Sequence, residues 1–225
     1  MFVRPREPAV YSRAELISDA AVHVVGLVAA LVAVVALITM AARWFGDMPI
    51  LLAASVYGLT LIGMFVCSAL YNIASPPAWR DTFRRVDQSA IYMKIAGSYT
   101  PFAVLTGTHM GFFLAGIWSA ALAGATLILF GSERMRRPAL VLYLAIGWAG
   151  LFAGKPLVAG LSPEGFSLVL AAGLVYTVGV IFYLWERLPF HNTIWHVFVL
   201  AASFVLYAAL VVELWQRAPV VAATG

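Results

Sequence analysis

Charged side chains are scarce in this sequence. They make up 11% of the 225 residues, hydrophobic residues make up 63%, and the mean hydropathy is +0.94. A soluble domain of this size needs a polar surface, and too few polar residues are present to cover one. The composition therefore excludes a soluble globular protein and indicates an integral membrane protein.

Cysteine is almost absent, because Cys67 is the only one. A single cysteine excludes a disulfide framework, and its place within an apolar run favours a small buried hydrophobic residue over a nucleophile. The sequence also lacks an internal repeat and a long linker, which disfavours an inverted-repeat transporter.

Long apolar runs dominate the chain. Each reaches or approaches the length of about 20 residues with which a helix spans the hydrocarbon core, and none is a short alternating strand of a barrel. We therefore predict an all-α fold, a bundle of seven transmembrane helices in one membrane domain at 15–216, with tails at 1–14 and 217–225. The first run is too long for the apolar part of a signal peptide and is kept as a span. The predicted spans are 18–40, 50–71, 89–107, 112–130, 139–155, 166–184 and 193–214.

The positive residues are distributed unevenly between the two sides of such a bundle. With the N-terminus in the cytoplasm, the inner segments contain Arg4, Arg6, Arg13, Arg80, Arg84, Arg85, Arg134, Arg136, Arg137 and Arg187, and the outer ones only Arg43, Lys155 and Arg217. Cytoplasmic loops are enriched in lysine and arginine, so the N-terminus is predicted inside and the C-terminus outside. The net charge of +4 then follows from topology, and no nucleic-acid partner is needed to explain it.

Two charged residues in the third run are the first functional candidates. Asp87 and Lys94 are seven residues apart, hence on one face of a helix at a rise of ~10 Å. Ionisable residues inside a membrane are costly and mark sites. Lys94 is predicted either to pair with Asp87 or to extend to the headgroups. Asp87 has the alternative role of capping the start of its helix.

Other polar residues are expected at the same inner level. Ser68 and Asn72 share one face of the second span, and Asn192 and His196 share one face of the seventh. Glu15, Asp19 and His23 open the first span, with His23 expected in an interhelical hydrogen bond. This one-sided clustering predicts a site that opens toward the cytosol.

Four motifs resemble the hemolysin III family, within the wider progestin and adipoQ receptor group that includes the adiponectin receptors. They are the stretch 84–101 with its Asp-Gln-Ser-Ala-Ile-Tyr core, Ser-Ala-Leu-Tyr-Asn at 68–72, the opening at 15–23, and Asn-Thr-Ile-Trp-His at 192–196. The resemblance covers nearly the whole chain in the right order. It implies a seven-helix bundle with a cytoplasmic N-terminus.

The resemblance also implies a zinc site in the cytosolic leaflet. Its ligands would be one histidine at the end of the second span and two at the start of the seventh, with a serine and an aspartate near the metal-bound water. This chain keeps Ser68, Asp87 and His196, but has Asn72 and Asn192 at the other two ligand positions. Because an amide oxygen is a weak zinc ligand beside an imidazole nitrogen, we expect a degenerate site.

Three functions are compatible with these residues. The first is a multi-pass plasma-membrane protein, in the inner membrane of a Gram-negative cell, that senses or maintains membrane lipid state. The second is a zinc-dependent hydrolase of lipid amides or esters, with Asp87 as the base and Ser68 and His196 stabilising the oxyanion. The third is an ion or proton pathway through Asp87, Lys94 and Glu213. Membrane lipids are the expected partners in the first two.

Overall fold

The computed structural model describes residues 11–107, 111–153 and 155–218, and every regular element in these ranges is helical. The predicted tails lie mostly outside them, at 1–10 and 219–225. The eight α-helices are α1 (Arg13–Trp44), α2 (Met48–Ala69), α3 (Arg80–Leu105), α4 (Gly111–Phe130), α5 (Arg136–Ala153), α6 (Lys155–Gly160), α7 (Pro163–Leu184) and α8 (His191–Arg217). One π-helical turn, Leu70–Ala74, extends α2.

Five of these helices are long and apolar enough to cross a membrane: α1, α2 with its π-helical turn, α4, α7 and α8. The apolar part of α5, Pro138–Phe152, is shorter. Large apolar side chains such as Val32, Val35 and Leu59 are exposed on the outer faces, as expected for contact with acyl chains. The predicted all-helical membrane fold is confirmed at this level.

The third helix is longer than predicted. The sequence suggested a basic loop at 80–85 before a span starting near Ser89, but α3 already begins at Arg80. Arg84 and Arg85 pair with Asp81 within the first turns, and Arg85 Nη1 also donates to the carbonyl of Gly131 after α4, at 2.8 Å. Asp87 is therefore two turns inside the helix, and its predicted alternative role as a helix cap is wrong.

Helix α3 occupies the centre of the bundle. It packs against α2 and α4 and also contacts α5 and α8. The approach to α2 is close because residue 97 is glycine: a Cβ at that position would collide with the side chain of Thr60. The central position explains how a helix carrying Asp87 and Lys94 is tolerated, since both face protein.

The predicted fifth span, 139–155, lies almost wholly within α5, and residue 154 is outside the described residues. Helix α5 ends at Ala153, and the short helix α6 follows from Lys155.

The starts of α1 and α8 are joined at one end of the bundle. Ser12 caps α1 in a capping box with Glu15, whose carboxylate also accepts from the backbone N–H of Phe190 at 2.9 Å. Phe190 precedes α8 in a left-handed conformation with φ of 60°. This junction fixes α8 against α1 and so sets which α8 residues meet Asp19 and His23.

Candidate functional site

A cavity of about 180 Å³ lies between the helices, lined by residues of α1, α2, α3 and α5 to α8. Most of its wall is apolar or aromatic, including Phe65, Phe102, Trp148 and Trp195. Its principal polar and charged lining residues are His23, Ser68, Asp87, Lys94, Ser98 and His196. The three predicted catalytic residues, Ser68, Asp87 and His196, thus share one cavity, as does Lys94.

Asp19 organises the polar end of this cavity. Its Oδ1 lies 2.6 Å from Nδ1 of His196, and its Oδ2 accepts from the side-chain amide of Asn192 at 3.2 Å. The carboxylate is buried, with 7% of the residue exposed. Asn192 and His196 therefore use the shared helical face predicted for them, and both contact one acid on α1.

His23 connects α1 to α2. Its Nδ1 lies 2.7 Å from the backbone carbonyl of Asp19, its Nε2 lies 3.0 Å from the hydroxyl of Ser68, and its ring centre is 4.3 Å from that of His196. The expected interhelical hydrogen bond of His23 is present. Sequence reasoning placed Asp19 and His23 at the right level but did not include either among the site residues. Their spacing of four on one helix was the signal that could have identified them.

The two asparagines at the family's ligand positions contact each other. The amide of Asn192 donates to Oδ1 of Asn72 at 3.3 Å, and Asn72 in turn donates to the backbone carbonyl of Ser68 at 2.9 Å. Asn72 Nδ2 is also 3.4 Å from His23 Nε2. The π-helical turn carries Asn72 into this arrangement. The amides form part of a continuous hydrogen-bond network.

Asp87 faces the same space from α3. It lines the cavity together with Ser68 of α2 and His196 of α8. The arrangement brings an acid, a hydroxyl and an imidazole together from three different helices, as the sequence predicted.

Lys94 does neither of the two things predicted for it. In the described ranges no salt bridge joins it to Asp87, and with 3% of the residue exposed it does not reach the surface. Its Nζ donates to the hydroxyl of Ser98 at 2.6 Å and lies 4.5 Å from the centre of the Tyr57 ring. The reason is local, because Ser98 lies one turn further along the same face of α3 and accepts the hydrogen bond.

His191 lies outside the cavity wall. Its Nε2 is 3.4 Å from the hydroxyl of Tyr11, and its Nδ1 has no hydrogen-bond partner among the described residues. Burial raises the pKa of Tyr11, so this hydroxyl keeps its proton at neutral pH and can donate to the ring. His191 is one residue from the ligand position and does not replace Asn192 there.

Asp19, His23 and His196 form a group that could hold a metal ion, since one ligand atom from each lies within 4.8 Å of the others. The three positions at which the resemblance implies zinc ligands do not fit zinc as well. Of those three residues only His196 is a histidine, and the amides of Asn72 and Asn192 are engaged with each other. A set of two amides and one imidazole differs from the nitrogen, sulfur and carboxylate ligands typical of zinc.

Comparison with known proteins agrees with this architecture. The family model described as "Haemolysin-III related" matches residues 15–207. This chain belongs to the haemolysin III family. It is 38% identical over 190 residues to the Hemolysin-3 homolog of Bacillus subtilis (strain 168), covering 83% of this chain and 88% of that protein. It is also 38% identical over 189 residues to Hemolysin-3 of Bacillus cereus, covering 83% and 86%.

A more distant similarity extends beyond the haemolysin III family. The chain is 29% identical over 163 residues to the human monocyte to macrophage differentiation factor, covering 66% of this chain and 64% of that protein. The predicted resemblance, to the haemolysin III family within the progestin and adipoQ receptor group, is confirmed.

Proposed function

We propose that this haemolysin III protein crosses the plasma membrane seven times, with its N-terminus in the cytoplasm and its C-terminus outside, and senses or maintains membrane lipid state. In a Gram-negative cell the location would be the inner membrane. The charge asymmetry of the loops supports this orientation. In this topology α3 and α5 complete the seven spans, with α6 as a short segment after α5.

The observation that carries the proposal is the cavity itself. One end is polar, around Ser68, Asp87 and His196, and most of the remaining wall is apolar, including Phe102 and Val169. An amphiphile with one polar group and a hydrocarbon chain has matching chemistry. A membrane lipid is therefore the ligand class that this shape and polarity favour.

We further propose that the polar end lacks a tightly bound zinc ion. Two of the three positions hold amides, whose oxygens are weak zinc ligands, and the Asn72 oxygen already accepts a hydrogen bond from Asn192. Buried polar groups are stable when they are hydrogen-bonded, so this cluster does not require a metal for its stability.

Hydrolysis of a lipid amide or ester is a second candidate function. It is favoured by the convergence of Ser68, Asp87 and His196 on one cavity and by the nearby group of Asp19, His23 and His196. In this alternative Asp87 removes a proton from water, while Ser68 and His196 donate hydrogen bonds to the oxyanion. The ion pathway is not carried forward, because Glu213 is outside the cavity wall and is bonded to Ser162 and Arg217.

Filling the cavity is expected to prevent lipid retention. Gly147 lines the cavity, and a Cβ at this position would meet no atom within 4 Å, so Gly147→Phe places a ring in open space. After the surrounding lipid has been removed, we expect native mass spectrometry to show one lipid still bound to the wild-type protein and none bound to this variant. Gly116→Phe is the matched control, because Gly116 is equally unobstructed and equally exposed but does not line the cavity. Equal lipid retention by all three proteins would contradict the proposal.

A further inference from the structure

A lysine and a serine lie in direct contact in the middle of the cavity wall. Lys94 and Ser98 are one turn apart on the same face of α3, with Nζ 2.6 Å from Oγ. Both residues are buried, with exposed fractions of 3% and 8%, and both line the cavity. The predicted site contained Lys94 only as a partner of Asp87, and it did not contain Ser98.

The surroundings of Lys94 favour an uncharged amine. No carboxylate forms a salt bridge with Nζ among the residues described, and the cavity wall near it is mainly apolar. An ammonium group buried without a counter-ion is costly, so the neutral amine is the favoured form in such surroundings. A neutral amine has a lone pair and can act as a general base.

We propose that Ser98 and Lys94 form a serine–lysine dyad that cleaves a long-chain acyl ester inside the cavity. Ser98 is the nucleophile and Lys94 is its general base. The inference rests on the proposed function in one respect, that the cavity admits an acyl chain. It is independent of the metal content of the polar end.

The chemistry of the dyad is balanced by these two side chains and water. The Ser98 hydroxyl hydrogen, now directed at the backbone carbonyl of Lys94 at 2.7 Å, turns to Nζ. Oγ then bonds to the ester carbonyl carbon while its proton passes to Nζ. The ester C–O bond breaks, and Nζ gives the proton to the departing alkoxide. Water next attacks the acyl-serine with Nζ again as base, which releases the carboxylic acid and restores Ser98.

The position of the dyad selects the substrate class. Ser98 is next to Tyr99 and close along the helix to Phe102, and the cavity continues to Leu157 and Leu161. This apolar portion suits the hydrocarbon chain of the acyl group. Toward the other end Lys94 is two turns from Asp87, at a rise of ~10 Å. The polar end suits the alcohol that leaves and the water that enters.

The first test is covalent labelling of the full-length protein in lipid nanodiscs with hexadecyl fluorophosphonate. Attack by an activated serine on phosphorus expels fluoride and leaves a stable phosphonate ester. We expect peptide mass spectrometry to place this adduct on Ser98. Ser55 and Ser89 provide internal controls, because each makes the same bond to a backbone carbonyl four residues earlier without a lysine beside it. Both should remain unlabelled.

Variants then separate a nucleophile from a serine that only satisfies a buried amine. Ser98→Ala should abolish the adduct. Lys94→Arg keeps a long donor side chain but cannot accept a proton at neutral pH, so the labelling rate should fall by about 10²- to 10⁴-fold. The melting temperature in detergent checks that each variant is folded. Labelling of Ser98 in the wild-type protein tests the proposal even if a variant does not fold.

Two outcomes would overturn the dyad. One is a wild-type protein that retains lipid by native mass spectrometry yet carries no adduct on Ser98. The other is a labelling rate that does not change in folded Lys94→Arg. Loss of lipid retention in the wild type would instead contradict the proposed function, so the two failures are distinguishable.

Discussion

Replacing both Asn72 and Asn192 with histidine is expected to create a tight zinc site at the positions where the resemblance implies one. The double variant places three imidazoles, with His196, at the positions where the family's ligands are expected, and three nitrogen ligands with water complete a tetrahedral set. We expect bound zinc to rise from a trace to about one ion per chain. Inductively coupled plasma mass spectrometry of the purified proteins measures this change.

The control for the new site removes one ligand. Adding His196→Ala to the double variant leaves histidine at only two of the three ligand positions and should return the zinc content to the wild-type level. If the double variant holds no more zinc than the wild type, the assignment of Asn72 and Asn192 to ligand positions is wrong.

Removing Glu213 is expected to cause the largest loss of stability of any single change considered. Glu213 is 0% exposed. Its carboxylate accepts hydrogen bonds from the backbone N–H and the hydroxyl of Ser162 and forms a salt bridge with Arg217. Arg217 in turn donates to the backbone carbonyls of Leu105 and Gly160. Glu213→Ala would leave a partly buried guanidinium without its carboxylate counter-ion and the Ser162 backbone donor without its acceptor, a change that typically costs about 3–5 kcal/mol.

Unfolding in mixed detergent, followed by circular dichroism, measures this loss. Glu164→Ala is the matched control, because Glu164 lies near the same end of the bundle but is exposed and bonded only to Gln216 among the described residues. It should leave the unfolding curve unchanged. Glu213→Gln retains an oxygen for Ser162 and should fall between the two. Equal curves for all four proteins would contradict the role assigned to Glu213.

The polar cluster could be predicted because helical spacing is a local property. Residues four apart share a face whatever the rest of the fold does, so Ser68 with Asn72 and Asn192 with His196 were paired correctly. The inner ends of several spans must also lie at one depth, which brought Asp87 to the same level. These two regularities were sufficient to predict that Ser68, Asp87 and His196 gather at one end.

Other features depended on contacts between distant residues. The early start of α3 is supported by Arg85, which donates to the backbone after α4, and no sequence pattern indicates this partner. The role of Asp19 depends on the docking of α8 onto α1 through Glu15 and Phe190, which fixes the register of the two helices. The partner of Lys94 was within reach of sequence reasoning. Ser98 is four residues away on the same helix, but the opposite charge of Asp87 was given more weight.

The zinc content of the purified wild-type protein tests the account most directly. Protein prepared without chelators and dialysed against metal-free buffer is predicted to hold far less than one zinc ion per chain, because Asn72 and Asn192 offer only weak amide ligands. A stoichiometric zinc ion that survives dialysis, and is lost on His196→Ala, would contradict it.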